Sequence, residues 1–165
     1  MFKIILYVLL GLSGLGAVFT FFGSFAYFGG WFNKPLLGIC QILMSAAIIG
    51  IVVLSFMRMI KNEKFGFITI GYFAVAFILN LLGLIVASGY GGYGGFSFFT
   101  GISGLAIAVL ASIPFDKITD VNSYKQLLKE AQPIDYVLLG VYALMSIITL
   151  ISIMTLMKSL RSFNL

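Results

Sequence analysis

Charged residues occur in short bursts along this chain, and the stretches between them are almost wholly apolar. Thirty uncharged positions separate Lys3 from Lys34, 23 separate Lys34 from Arg58, and 22 separate Asp135 from Lys158. The longest stretch, residues 65–115, runs for 51 positions without an Asp, Glu, Lys or Arg. A bilayer core is about 30 Å thick and a helix rises about 1.5 Å per residue, so each of the first three stretches fits one span and the longest holds two. The pattern predicts an all-α integral membrane protein, a bundle of about five transmembrane helices near 4–28, 36–57, 66–88, 96–115 and 136–157. A four-span alternative makes the fourth segment re-entrant. The five segments take up 112 of 165 residues, so the remainder is too small for a separate soluble core and 1–165 is read as one membrane domain.

Composition agrees with this pattern: 61% of residues are hydrophobic, 9% are charged, and the mean hydropathy is +1.14. Soluble domains carry about 25% charged residues. The first segment is longer than the h-region of a signal peptide and no small-residue cleavage site follows it, so it reads as a retained helix. The net charge of +5 is read as an orientation signal, with no nucleic-acid partner. With five spans, Lys3, Arg58, Lys61, Lys64, Lys117, Lys125 and Lys129 share one side, against Lys34, Lys158 and Arg161 on the other. Seven against three places the N-terminus in the cytoplasm and the C-terminus outside, in a plasma or inner membrane; the re-entrant alternative gives six against four.

The one sizeable loop, 116–135, contains a short amphipathic helix. Ser123 and Gln126 have the spacing of a capping box, Tyr124, Leu127, Leu128 and Ala131 repeat at helical intervals, and Pro133 ends the run. This cytoplasmic helix lies in the interface or recruits a partner. At the opposite ends of the spans, Phe28, Trp31, Phe32, Tyr90 and Tyr93 belong to glycine-interleaved aromatic clusters, read as an interfacial belt or an outer docking surface.

Helices in lipid associate by close backbone approach and polar contacts, which makes small and polar residues inside the spans informative. Each predicted helix carries a small or hydroxyl-bearing face. Gly83 and Gly104 are candidates for helix packing, and Gln41, Asn80, Ser146 and Thr149 for packing or a polar pathway. Cys40, the only cysteine, permits no intramolecular disulfide and reads as a packed thiol.

Much chemistry is excluded. The absence of His removes bis-His haem, Ser-His dyads and His-based metal sites, and the five acids fall at predicted helix ends or in loops. The segment 89–94 spells G-x-G-x-x-G, yet it follows an apolar helix with no βαβ unit around it, so it reads as a flexible turn. No catalytic residue, cofactor or metal is expected. The leading expectation is a non-catalytic multi-pass subunit acting by helix packing within a larger membrane complex of an energy-transducing, transport or secretion type, with membrane lipid and other subunits or its own copies as partners. The alternatives are a homo-oligomeric channel or small uncoupled carrier, and a lipid- or quinone-binding membrane protein.

Overall fold

The computed structural model describes residues 2–29, 34–61, 66–87 and 95–163. Six α-helices make up the described chain: α1 (Phe2–Gly23), α2 (Pro35–Ile60), α3 (Gly66–Ala87), α4 (Gly95–Ser112), α5 (Val121–Lys129) and α6 (Pro133–Phe163). Among the described residues there is no strand. Four helices are long and apolar enough to cross a bilayer, namely α1 with the 3₁₀ turn that extends it (Ser24–Phe28), α2, α3 and α6. The fourth helix in order, α4, is shorter at 18 residues, or about 27 Å. The molecule is an all-α membrane helical bundle.

Glycine contacts show how the helices run. A β-carbon on Gly101 would lie 3.3 Å from Phe77 Cα, one on Gly104 would lie 2.5 Å from the Phe73 ring, and one on Gly66 would lie 2.9 Å from Ser112 Cβ. Residue numbers fall on α3 as they rise on α4, so the two are antiparallel and α4 returns the chain to the end from which α3 started. A fourth segment that turned back on itself would leave Ser112 far from Gly66.

Each remaining neighbour is fixed in the same way. Tyr7 of α1 stacks on Phe56 of α2 at 5.4 Å, and Gly14 faces Val52, which makes α1 and α2 antiparallel. Leu138 of α6 packs onto Gly50 of α2, again antiparallel. Phe67 meets Tyr136 at 5.0 Å, Gly71 meets Leu139, and Tyr72 meets Tyr142 at 5.4 Å, so α3 and α6 run parallel with a constant offset. With α1 also touching α4, the order around the bundle is α1, α2, α6, α3, α4 and back to α1. A closed ring of five helices cannot alternate direction throughout, and one pair of neighbours must be parallel. That pair is α3 and α6.

The ring is filled by buried side chains from all five members, including Leu6 and Leu10 of α1, Ile51 of α2, Ile68 and Tyr72 of α3, Ala108 of α4 and Tyr142 of α6. Thr69 Oγ1 donates to Ser55 Oγ at 3.2 Å, joining α3 to α2 by a hydrogen bond between two fully buried hydroxyls. The outward faces remain apolar, as lipid contact requires.

One ion pair closes the end where α2 finishes and α6 begins. Arg58 Nη1 donates to Asp135 Oδ2 at 2.9 Å and Nη2 donates to Oδ1 at 2.7 Å, a bidentate pair in which Asp135 is wholly buried and Arg58 is 6% exposed. Arg58 Nη2 also donates to Gln132 Oε1 at 2.9 Å, and the Gln132 backbone N–H donates to Asp135 Oδ2 at 3.0 Å. Each charge suits its helix end, Arg58 in the last turn of α2 and Asp135 in the first turn of α6.

Two local expectations are corrected here. Helix α6 starts at Pro133, which occupies its first turn instead of only stopping the preceding run, so Asp135 belongs to the helix and not to the loop. Helix α5 is present within 116–135, but its N-cap is Asp120, whose Oδ1 accepts from the Asn122 N–H at 3.0 Å. Ser123 therefore lies inside the helix, and Gln126 Nε2 donates to Glu130 Oε1 at 3.2 Å instead of completing a capping box. A carboxylate facing free N–H groups is an effective cap, and Asp120 reaches them first.

Removing one partner of a buried ion pair strands the other charge, at a cost of about 3–5 kcal/mol, whereas replacing both by apolar residues is often close to neutral. Asp135→Ala is therefore expected to lower the melting temperature of the detergent-solubilised protein steeply, and Arg58→Met with Asp135→Leu is expected to recover most of the loss. A double variant as unstable as the single one would show that the pair does more than neutralise charge.

Candidate functional site

Two cavities lie between the helices, each open on one side past an exposed residue, Leu12 in one and Ile153 in the other, and they share a wall. One, of about 370 Å³, is lined by Leu9, Leu12 and Ser13 of α1, Tyr72, Phe73, Ala76 and Asn80 of α3, Gly101 of α4 and Tyr142 of α6. The other, of about 260 Å³, is lined by Met44 and Ile48 of α2, Leu79 and Asn80 of α3, and Tyr142, Ser146, Thr149, Leu150 and Ile153 of α6. Asn80 and Tyr142 belong to both. Asn80 lies about 21 Å along α3 from Gly66 and Thr149 about 24 Å along α6 from Pro133, so the polar groups occupy the part of the ring remote from the ion pair. Toward the ion pair, Leu6, Leu10, Ile51 and Ile68 are fully buried and fill the interior.

The constant offset between parallel α3 and α6 produces this arrangement. The register that pairs Phe67 with Tyr136 and Tyr72 with Tyr142 brings Asn80 level with Thr149 two turns further on. Aromatic rings fill the interface at Tyr72 and Tyr142, and beyond them the facing residues become an amide and a hydroxyl too short to close the gap.

The hydroxyls of Ser146 and Thr149, like that of Ser112 at the other end of the bundle, depart from the ordinary pattern of this protein. Ser13, Thr20, Ser24, Ser45, Ser152 and Thr155 each donate to the carbonyl four residues earlier, at 2.6–2.9 Å, which is how a hydroxyl inside a membrane helix ordinarily satisfies its proton. Ser146 Oγ and Thr149 Oγ1 are buried and make no hydrogen bond, and Thr149 is only 8% exposed. Their protons are not committed to the backbone. No charged side chain lines either cavity, and among the described residues no group of His, Cys, Asp or Glu comes together that could hold a metal ion.

The residues singled out in the sequence are divided among several places. Asn80, Ser146 and Thr149 converge on one cavity, joined by Tyr142, which the sequence reading passed over because an aromatic in an apolar run looks like core. Gln41 is elsewhere: its carbonyl accepts from Ser45 Oγ at 2.7 Å, and its Oε1 is 3.4 Å from Ser24 Oγ, so it ties the end of α1 to α2 and lines neither cavity. Gly104 packs inside the protein against Phe73, whereas a β-carbon on Gly83 would meet nothing within 4 Å. Phe28 lays its ring over Gly38 at the start of α2 and remains 43% exposed. Trp31, Phe32, Tyr90 and Tyr93 lie outside the described residues. On α5, Leu127 reaches Gly66, and Tyr124, Leu127 and Leu128 line an apolar crevice of about 230 Å³ with Phe67, Ile70 and Gly71 of α3.

The two glycines are expected to separate cleanly. Gly104→Leu drives side-chain carbons into the Phe73 ring and should cost about 1–3 kcal/mol of stability, as at other overpacked sites, seen as a lower melting temperature. Gly83→Leu should leave the melting temperature of the isolated chain unchanged, and equal losses from both would contradict this packing. No protein-family model matches the chain, and no curated protein or solved structure matches it either, so the functional reading rests on the chemistry of the cavity.

Proposed function

We propose that this chain is a non-catalytic multi-pass membrane protein that holds a membrane-soluble small molecule in the cavity between α2, α3 and α6. The observation that carries this reading is the pair of buried, unbonded hydroxyls of Ser146 and Thr149 in the wall of a cavity of about 260 Å³. Leaving a buried hydroxyl unsatisfied costs about 1–3 kcal/mol, and a bound molecule that accepts its proton removes that cost. The cavity is amphipathic, with apolar walls and a few convergent polar groups, which is the usual make-up of a small-molecule site. The packed interior toward the ion pair favours a blind site over a continuous path through one chain.

Charge placement supports an orientation. Arg58, Lys61, Lys117, Lys125 and Lys129 lie at the end where α2 finishes, α4 finishes and α6 begins, and Lys34 and Lys158 lie toward the other. By the positive-inside rule the first end faces the cytoplasm, and the cavity lies in the outer half of the bilayer. A second reading, assembly within a larger complex, is favoured by Gly11, Gly16, Gly83 and Gly140, where a β-carbon would meet nothing within 4 Å and another helix could approach closely.

The test is to extract the protein in a mild detergent, wash it extensively, denature it and identify the released small molecules by mass spectrometry. A single species near one per chain is expected, and a mixture matching bulk membrane lipid would refute the binding reading. For the assembly reading, loss of a co-purifying protein on Gly83→Leu is the expected result.

A further inference from the structure

The ligand-holding reading leaves open what kind of molecule fits, and the side chains around the cavity restrict the answer. The site supplies protons. Ser146 and Thr149 have hydroxyl hydrogens that no protein atom receives, and the Tyr142 hydroxyl and the Asn80 amide share their wall. Six hydroxyls elsewhere in the protein show the contrast by giving their proton to the backbone four residues earlier, and the third buried hydroxyl without a partner, Ser112 Oγ, lines neither cavity. An idle lone pair in hydrocarbon is tolerated better than an idle proton, so the missing partner is an acceptor. The cavity has no charged lining residue, and an ionised headgroup buried there would go unpaired. The ligand's polar part is therefore neutral.

Size and surroundings narrow it further. A cavity of about 150 Å³ admits benzene, so about 260 Å³ has room for a substituted ring or an ester linkage. Beyond the polar groups the walls are Met44, Ile48, Leu79, Leu150 and Ile153, which suit hydrocarbon. We infer that the cavity between α2, α3 and α6 binds an uncharged, carbonyl-bearing membrane amphiphile, with Ser146 and Thr149 donating hydrogen bonds to its carbonyl oxygens and the tail lying along the apolar walls. This rests on the ligand-holding reading. Two membrane sources share that chemistry, an isoprenoid quinone and a neutral glycerol ester.

Both hydroxyls can be deleted with little disturbance. Thr149→Val is close to isosteric and Ser146→Ala removes one atom, and since neither hydroxyl has a protein partner the fold loses no bond with either. The full chain, delipidated in detergent, is titrated with decylubiquinone, with dioctanoylglycerol and with dodecane as a carbonyl-free control, and occupancy is counted by native mass spectrometry. At least one carbonyl probe is expected to bind one per chain and more tightly than dodecane. The Ser146→Ala, Thr149→Val double variant should weaken it by about tenfold or more, from about 1 kcal/mol per lost hydrogen bond, while its melting temperature without ligand is unchanged or higher and its weak affinity for dodecane is kept. Preference for decylubiquinone or for dioctanoylglycerol identifies the source. If dodecane binds as well as the carbonyl probes, or if the double variant binds them unchanged, the carbonyl assignment is overturned while the ligand-holding reading stands. If no probe binds and no molecule co-purifies, both fall.

Discussion

The buried contact between Arg58 and Asp135 decides which helices can be neighbours. An arginine and an aspartate at the edge of the hydrocarbon each carry a large desolvation cost, and only a complete set of hydrogen bonds offsets it. Both carboxylate oxygens are engaged by the guanidinium, and one also takes the Gln132 N–H. The two residues are 77 positions apart, so the pair fastens the end of α2 to the start of α6 and draws α6 into a place beside α2 that chain connectivity alone would not give it.

The rest of the ring follows from that placement. Short connections make α1 with α2 and α3 with α4 antiparallel pairs, and α6 enters between the pairs after a connection of some twenty residues that contains α5. It lies antiparallel to α2 and parallel to α3. The parallel interface starts with aromatic contacts, Phe67 on Tyr136 and Tyr72 on Tyr142, and opens beyond them where Asn80 and Thr149 come level. The cavity thus arises where the ring departs from alternation, and its polar lining is the face of α6 that the register turns inward.

Much of the architecture was legible in the sequence because charge spacing is compared directly with bilayer thickness. The uncharged stretches placed five apolar helices, four of which are long enough to span while the fourth in order is shorter than expected, and the periodicity of Tyr124, Leu127 and Leu128 located α5. Partnerships were not legible. Arg58 counted as one charge among seven on its side and Asp135 as a loop acid, since nothing local tells either that it will be buried against the other. The hydroxyl-bearing face of α6 marked Ser146 and Thr149, but Ser152 on the same helix reads identically and bonds to its own backbone. Only the three-dimensional surroundings separate a hydroxyl with a partner from one without. Gly104 and Gly83 look alike as small residues in apolar runs, and one is packed against Phe73 while the other is open.

The central claim is that α6 lies parallel to α3 in a closed ring, and cross-linking tests it most directly. With Cys40 replaced by Ser, Gly71→Cys and Leu139→Cys are introduced together with a protease site in the 116–132 connection. A β-carbon at residue 71 would lie 2.7 Å from a side-chain carbon of Leu139, so mild oxidation should join the two halves. After cleavage they should then run as one species on a non-reducing gel and separate on reduction. If the two halves separate without reduction although both cysteines were free to react, α3 and α6 are not neighbours in this register, and the cavity and its ligand lose their foundation.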